Sequence, residues 1–191
     1  MIDEEGLDAL NMRALAQRLG VSTMALYNHV DDKRDLVNGI ARNVIGSFHV
    51  PVTPDDWQEQ LRATSHILRR ICLANPRMIP LIEKANVLGP AAFRPMEAAV
   101  ASLAKAGMEP REALTAYFLV VNFTLGHSSY ELRGPFRGLD PAEALRSGHL
   151  EAQTFPFTAQ AVSGKEWDFD AAFEFGLWTI LEGLEARLSP R

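Results

Sequence analysis

A single cysteine, Cys72, stands in a chain of 191 residues, so neither an intrachain disulfide nor a Cys-x-x-Cys site can form. Its neighbours are apolar at helical spacing, which marks it as a buried core thiol rather than a nucleophile. No run of 18 apolar residues is present, so no helix is expected to span a membrane. The N-terminus lacks the regions of a secretory signal, which points to a cytoplasmic protein. An excess of positive charge is missing too: 19 Lys and Arg against 24 Asp and Glu leave a net charge of −5. Residues 1–46 alone carry five basic and seven acidic side chains, a net of −2 (5 − 7). DNA binding would therefore have to rest on a local patch rather than on a basic domain. There is no convincing strand alternation, internal repeat or low-complexity tract. No nucleophile–base pair or metal constellation stands at a spacing that chemistry would use, so neither an enzyme nor a metal or cofactor is expected.

What is present is helical periodicity. Hydrophobic residues make up 47% of the chain and charged ones 23%, enough to bury a sizeable core in one or two domains. The most informative stretch is Met12–Val30, MRALAQRLGVSTMALYNHV. Leu15 and Leu19 are four residues apart and share a helix face, with the small Ala16 beside them. Gly20 falls where that helix must stop, because glycine takes a left-handed backbone cheaply. Val21 follows as an apolar plug, and Ser22 or Thr23 can cap a second helix whose inner face carries Leu26 and Val30. This is the pattern of a helix-turn-helix, in which small residues let two short helices cross closely. Such a pair cannot bury its own core and normally needs a third helix, for which the expected place is upstream of Met1; the other reading is that this copy manages without it. Gly6 breaks any helix leading into Leu7 and Leu10.

Asp31 and Asp32 can cap a further helix from about Lys33 to Phe48, with Ile40, Val44 and Phe48 as its stripe. Lys33 and Arg34 in its first turn oppose the helix dipole, which suits either an external phosphate or plain solvation. Pro51, Pro54 and Asp55-Asp56 mark a joint, with a domain boundary near residues 47–54. Helices are expected over Trp57–Ala74, Pro90–Ala106 (ending at Gly107), Glu109 to about Leu132, and Asp168–Leu188. A broken piece is expected over Arg77–Lys84 and a short helix over Pro141–Ser147. The helices ending at Leu132 and Leu188 are apolar almost all round, more than one small bundle needs. A pair from each of two chains would make a four-helix dimer interface; a self-contained core is the other reading. His127 and Glu131, four apart, suit either a metal or a satisfied helix-face pair.

The stretch RALAQRLGVSTMALYNHVDDKRDLV resembles the DNA-binding domain of the TetR family of transcriptional regulators. NFTLG at 122–126 and FEFGLWTILEGLEARL at 173–188 are similar to the C-terminal domain of its tetracycline-repressor subgroup. The resemblance implies an all-α homodimer. A helix-turn-helix DNA-binding domain over 1–48, lacking the family's first helix, would precede a ligand-binding and dimerisation domain over 49–191. It implies a ligand-responsive repressor on a palindromic double-stranded operator, released by a small-molecule effector, with two chains joined through helices about 111–132 and 168–188. A small-molecule-binding or scaffolding dimer without DNA binding is the alternative.

By position, Arg13 matches a base-reading arginine, and Thr23, Met24, Ala25 and Asn28 lie along the groove-facing part of the second helix. Tyr27, His29 and Lys33 match phosphate contacts, which fix register without reading sequence. A pocket is expected between helices 57–74, 90–106 and 113–132, with His49, Thr64, Leu68, Met96, Asn122 and Tyr130 as walls, each of which also suits packing. The subgroup grips a magnesium–drug chelate with histidines and an acid. This chain has no histidine between His66 and His127, Glu83 stands near the metal-binding position, and Tyr130 falls about where the acidic contact would be. A tetracycline chelate is therefore not the expected effector.

Overall fold

The computed structural model describes residues 10–46, 50, 53, 55–76, 90–133, 141–164 and 167–188. These form helices, with no strand among the described residues: α1 (Met12–Leu19), α2 (Thr23–Tyr27), α3 (Lys33–Gly46), α4 (Trp57–Ala74), α5 (Pro90–Lys105), α6 (Pro110–Arg133), α7 (Pro141–Arg146), α8 (Pro156–Val162) and α9 (Phe169–Leu188). Local chemistry sets their ends. The Asp56 carboxylate accepts the Glu59 N–H at 2.9 Å and opens α4. Glu109 accepts the N–H groups of Arg111 and Glu112 at 2.9 and 3.2 Å ahead of α6. Asp168 does the same for Ala171 at 2.9 Å ahead of α9. Gly107, at φ 103°, closes α5, with the Met108 N–H reaching back to Leu103 O at 3.1 Å.

Helices α4, α5 and α6 pack on one another, and α9 lies along α6. Their shared core is built on Leu61, Leu103, Val120, Phe173 and Leu177. Burying each of these side chains is worth about 1.5–3 kcal/mol relative to exposure. The α4–α6 seam is polar. Thr124 Oγ1 lies 3.2 Å from Ser65 Oγ, and the Ser128 hydroxyl donates to Thr124 O at 2.8 Å. Cys72 is buried in this seam; burial pushes its thiol up to about 11 against the opposing effect of the Ser128 hydroxyl, as an inert core thiol requires. A second, smaller cluster joins Leu10, Val37 and Ala41 under α1 and α3. Helix α3 also touches α5, linking the N-terminal helices to the larger bundle. Helices α7 and α8 pack on each other.

Several expectations need correction. Leu19 is 60% exposed and Val21 43%. The small core gathers under the N-terminal half of α1, around Leu10 and Leu15, and Leu19 lies a turn beyond it. The second helix stops at Tyr27 rather than Val30, because Asn28 and His29 are weak helix formers leading into an acidic cap. Helix α8 was not expected; Pro156 at its first position, where proline is preorganised, was the available signal. Phe48, His49, Glu83 and the broken piece at 77–84 lie outside the described residues.

Candidate nucleic-acid interface and effector core

Four caps shape the N-terminal site. Asn11 accepts the Arg13 N–H at 2.9 Å and starts α1, which leaves Arg13 exposed in the first turn. Gly20, at φ 69° and ψ 25°, ends it, with Gly20 and Val21 N–H groups donating to Gln17 O (3.2 Å) and Ala16 O (3.0 Å). A Cβ at Gly20 would meet nothing within 4 Å, so the left-handed backbone, not space, is what calls for glycine. Ser22 Oγ then accepts the Ala25 N–H at 3.1 Å and opens α2. Helix α2 has only five residues and is held by packing on α1. Asp32 accepts the Asp35 N–H at 2.7 Å, and Asp35 in turn accepts the Asp31 N–H at 3.3 Å, a reciprocal cap that opens α3.

The outer surface so formed carries Arg13 on α1 and Met24 and Tyr27 on α2. Asn28 and His29 occupy the turn, and Lys33 begins α3; all six are exposed. Met24 is 73% exposed and Tyr27 46%. Thr23 and Ala25 are half-buried at the base of α2. Asn28 sits just past the helix, its N–H on Met24 O at 3.2 Å. The exposed set offers one guanidinium, one carboxamide, a flexible thioether and several groups able to bind phosphate, the chemistry that a groove reader uses.

In the larger bundle, Thr64 is buried and donates to Gln60 O at 2.8 Å, with half-buried Leu68 one turn on along the same face of α4. Met96 on α5 packs half-buried against the shared core. Tyr130 turns toward α9, edge-on to Phe169 at 5.6 Å. Asn122 is no interior wall. It is exposed on the face of α6 opposite Val120 and Thr124, because the helical period carries position 122 outward. Sequence reasoning missed Gln60, which is fully buried. Its oxygen accepts the Thr53 N–H at 2.8 Å while its Nε2 has no hydrogen-bond partner. A glutamine in the first turn of an amphipathic helix reads as surface, so no pattern marked it.

Arg69 was also missed. Its Nε and Nη2 donate to Glu131 at 2.9–3.0 Å and Nη2 to Asp170 at 2.5 Å, with the guanidinium 4.7 Å from the Phe173 ring centroid. One side chain thus ties α4 to both α6 and α9. His127 lies beside it, Nε2 3.0 Å from Phe169 O. A carbonyl only accepts, so Nε2 carries the proton. Burial, with help from the Arg69 charge, lowers the His127 pKa below 6.5. Since Nε2 is engaged and Glu131 is held by Arg69, the pair is a satisfied helix-face contact and not a metal site. No group of three metal-ligating side chains occurs among the described residues.

Residues 1–40 match the family described as bacterial regulatory proteins, tetR family, and residues 50–188 match the tetracyclin repressor-like C-terminal domain. The chain is similar to the tetracycline repressor protein class A from transposon 1721 of Escherichia coli, 32% identical over 98% of this chain and 86% of the relative. It is 30% identical to an HTH-type transcriptional regulator of Saccharopolyspora erythraea over 97% of this chain and 80% of that one. Among solved structures, the Streptomyces coelicolor TetR family protein ActR in complex with actinorhodin superposes with a TM-score of 0.82. That pair is 30% identical, covering 99% of this chain and 93% of the other. With both halves matched and the N-terminal caps in place, the chain belongs to the tetR family of bacterial regulatory proteins.

Proposed function

We propose that this chain is a repressor whose two-fold dimer reads a palindromic operator and releases it when a small molecule enters the bundle. As a family member it is a ligand-responsive, DNA-binding transcriptional regulator that acts as a homodimer, not an enzyme. The observation that carries the finer reading is the joint exposure of Arg13, Met24, Tyr27, Asn28, His29 and Lys33 across the capped N-terminal helices and the turn between them. Arg13 is the guanine reader, Met24 and Ala25 meet thymine methyls, and Asn28 and Thr23 contact base edges. Tyr27, His29 and Lys33 grip phosphates. Two such surfaces would sit about 34–36 Å apart, one turn of duplex or a multiple of it. The DNA-binding unit ends near residue 48, and the remainder binds effector and partner. No described helix is long and apolar enough to cross a membrane, in keeping with a cytoplasmic regulator.

The effector site lies among α4, α5 and α6. Thr64 and the unpaired Gln60 amide supply polar handles, and Leu68 and Met96 supply apolar walls. This calls for a largely apolar small molecule carrying a few hydrogen-bond acceptors. The absence of histidine between His66 and His127 speaks against a tetracycline–magnesium chelate. Gel-shift titrations of the full chain against DNA flanking its own gene test the reading. Specific retention should weaken steeply with salt, and a compound that raises the melting temperature should release the DNA. No specific retention at low salt would overturn it.

A further inference from the structure

Helices α6 and α9 lie side by side, with the Phe123 ring of α6 seated over Gly176 of α9. A Cβ on Gly176 would stand 2.5 Å from that ring. Their outward faces are apolar. Phe118 and Leu119 on α6 are 47% and 50% exposed, and Phe175 and Trp178 on α9 are 70% and 54% exposed. In a family of homodimers, faces this apolar belong to the partner subunit. Thr115, Phe118, Leu119, Asn122 and Gly126 recur at helical spacing along the outer stripe of α6. Asn122 is thus a carboxamide set in the middle of a hydrophobic seam.

We infer that Asn122 lies at the two-fold axis and pairs with Asn122 of the partner subunit, fixing the register and the identity of the dimer. The proposal rests on the homodimer reading. A carboxamide is both donor and acceptor, so two related by a two-fold axis can exchange N–H···O bonds reciprocally. A shifted register or an unlike partner helix would bury the amide unpaired, at a cost that discriminates against both. A lone asparagine in a coiled-coil seam selects register and partner by the same means.

Sedimentation equilibrium on the full chain separates the two layers of the argument. Trp178→Glu should dissociate the wild-type dimer. Asn122→Asp and Asn122→Lys, each alone, should raise the dimer Kd about tenfold or more by placing like charges together. An equimolar mixture of the two variants should recover a heterodimer as tight as wild type. Circular dichroism should show unchanged helicity, since position 122 is exposed in the single chain. A wild-type monomer would overturn the dimer reading itself. A dimer broken by Trp178→Glu but indifferent to both Asn122 variants would overturn the role of Asn122 alone. Weakened variants that fail to pair with each other would overturn the reciprocal contact.

Discussion

Replacing Arg69 by methionine keeps the apolar stem and removes the charge that three helices share. The Arg69 side chain is 11% exposed and Glu131 19%, while Asp170 is 84% exposed. The two arms are therefore unequal. The Asp170 arm is open to water and contributes about 0.2–1 kcal/mol. The Glu131 arm is largely dry, and stripping its cation leaves a carboxylate with little water to replace it. Breaking such a pair costs about 3–5 kcal/mol when fully buried. The remaining water access puts Glu131 at the lower end, and loss of the contact with Phe173 adds about 0.5–1 kcal/mol. Arg69→Met should thus destabilise the protein by about 4–5 kcal/mol, and Asp170→Asn by less than about 1 kcal/mol. Removing Arg69 and Glu131 together, as Arg69→Met with Glu131→Leu, should recover most of the loss, because the carboxylate left behind, Asp170, is solvated and no buried charge stays unpaired. Urea unfolding followed by circular dichroism, at one fixed protein concentration because dimer stability depends on it, reads these differences. If Arg69→Met cost under about 1 kcal/mol, or if the double variant cost the sum of the singles, the ion cluster would not be the brace described.

At the DNA surface, Arg13→Ala should cost about 1–3 kcal/mol and relax preference at one base position, whereas Lys33→Ala should weaken all sequences alike and flatten the salt dependence by about one phosphate contact. Competition binding on single-base operator variants separates them, and uniform weakening by Arg13→Ala would reassign it to phosphate. Ser22→Ala removes the cap of a five-residue helix, and a loss of about 1 kcal/mol there should appear as faster amide exchange at Ala25 and weaker operator binding. Unchanged exchange at Ala25 would refute the cap's importance. His127 is half-buried with its pKa lowered by desolvation, so the unfolded chain binds its proton more readily than the folded one. Stability should therefore be full above pH 6.5 and fall as pH drops through and below that value. His127→Gln should flatten that slope in unfolding midpoints measured from pH 8 to 5, and an identical slope in the variant would exclude His127 as its source.

The parts of the fold written in nearest-neighbour chemistry were legible. Gly20, Ser22, Asp32, Asp56, Gly107 and Asp168 each act within four residues of themselves, and each ends or starts a helix where its side chain or backbone says it must. The residues proposed to face the DNA groove came from the family resemblance rather than from these caps; the structure shows Arg13, Met24, Tyr27, Asn28, His29 and Lys33 exposed. Tertiary pairing left no such trace. Arg69 stands on α4 between apolar positions, and its partners lie 62 and 101 residues away, so no local period announces the bridge. Gln60 was hidden for the same reason: it is fully buried and its oxygen is held by the Thr53 N–H, seven residues back and outside its own turn of helix.

Asn122 shows where periodicity itself fails. A helix with one apolar stripe carries its own phase, and the polar side can be assigned to solvent from sequence. Helix α6 is apolar nearly all round, so its pattern fixes the helix but not its rotation. The inward face carries Ala113, Ala116, Tyr117, Val120 and Thr124. Phe118 and Leu119 are left outside. Neither size nor hydropathy announces the rotation: Tyr117 and Phe118 are adjacent aromatic residues of similar size, and tertiary packing buries the first and leaves the second exposed. That rotation carries Asn122 away from the effector core and into the dimer seam. It makes the carboxamide a determinant of which chain pairs with which, rather than of which ligand is bound.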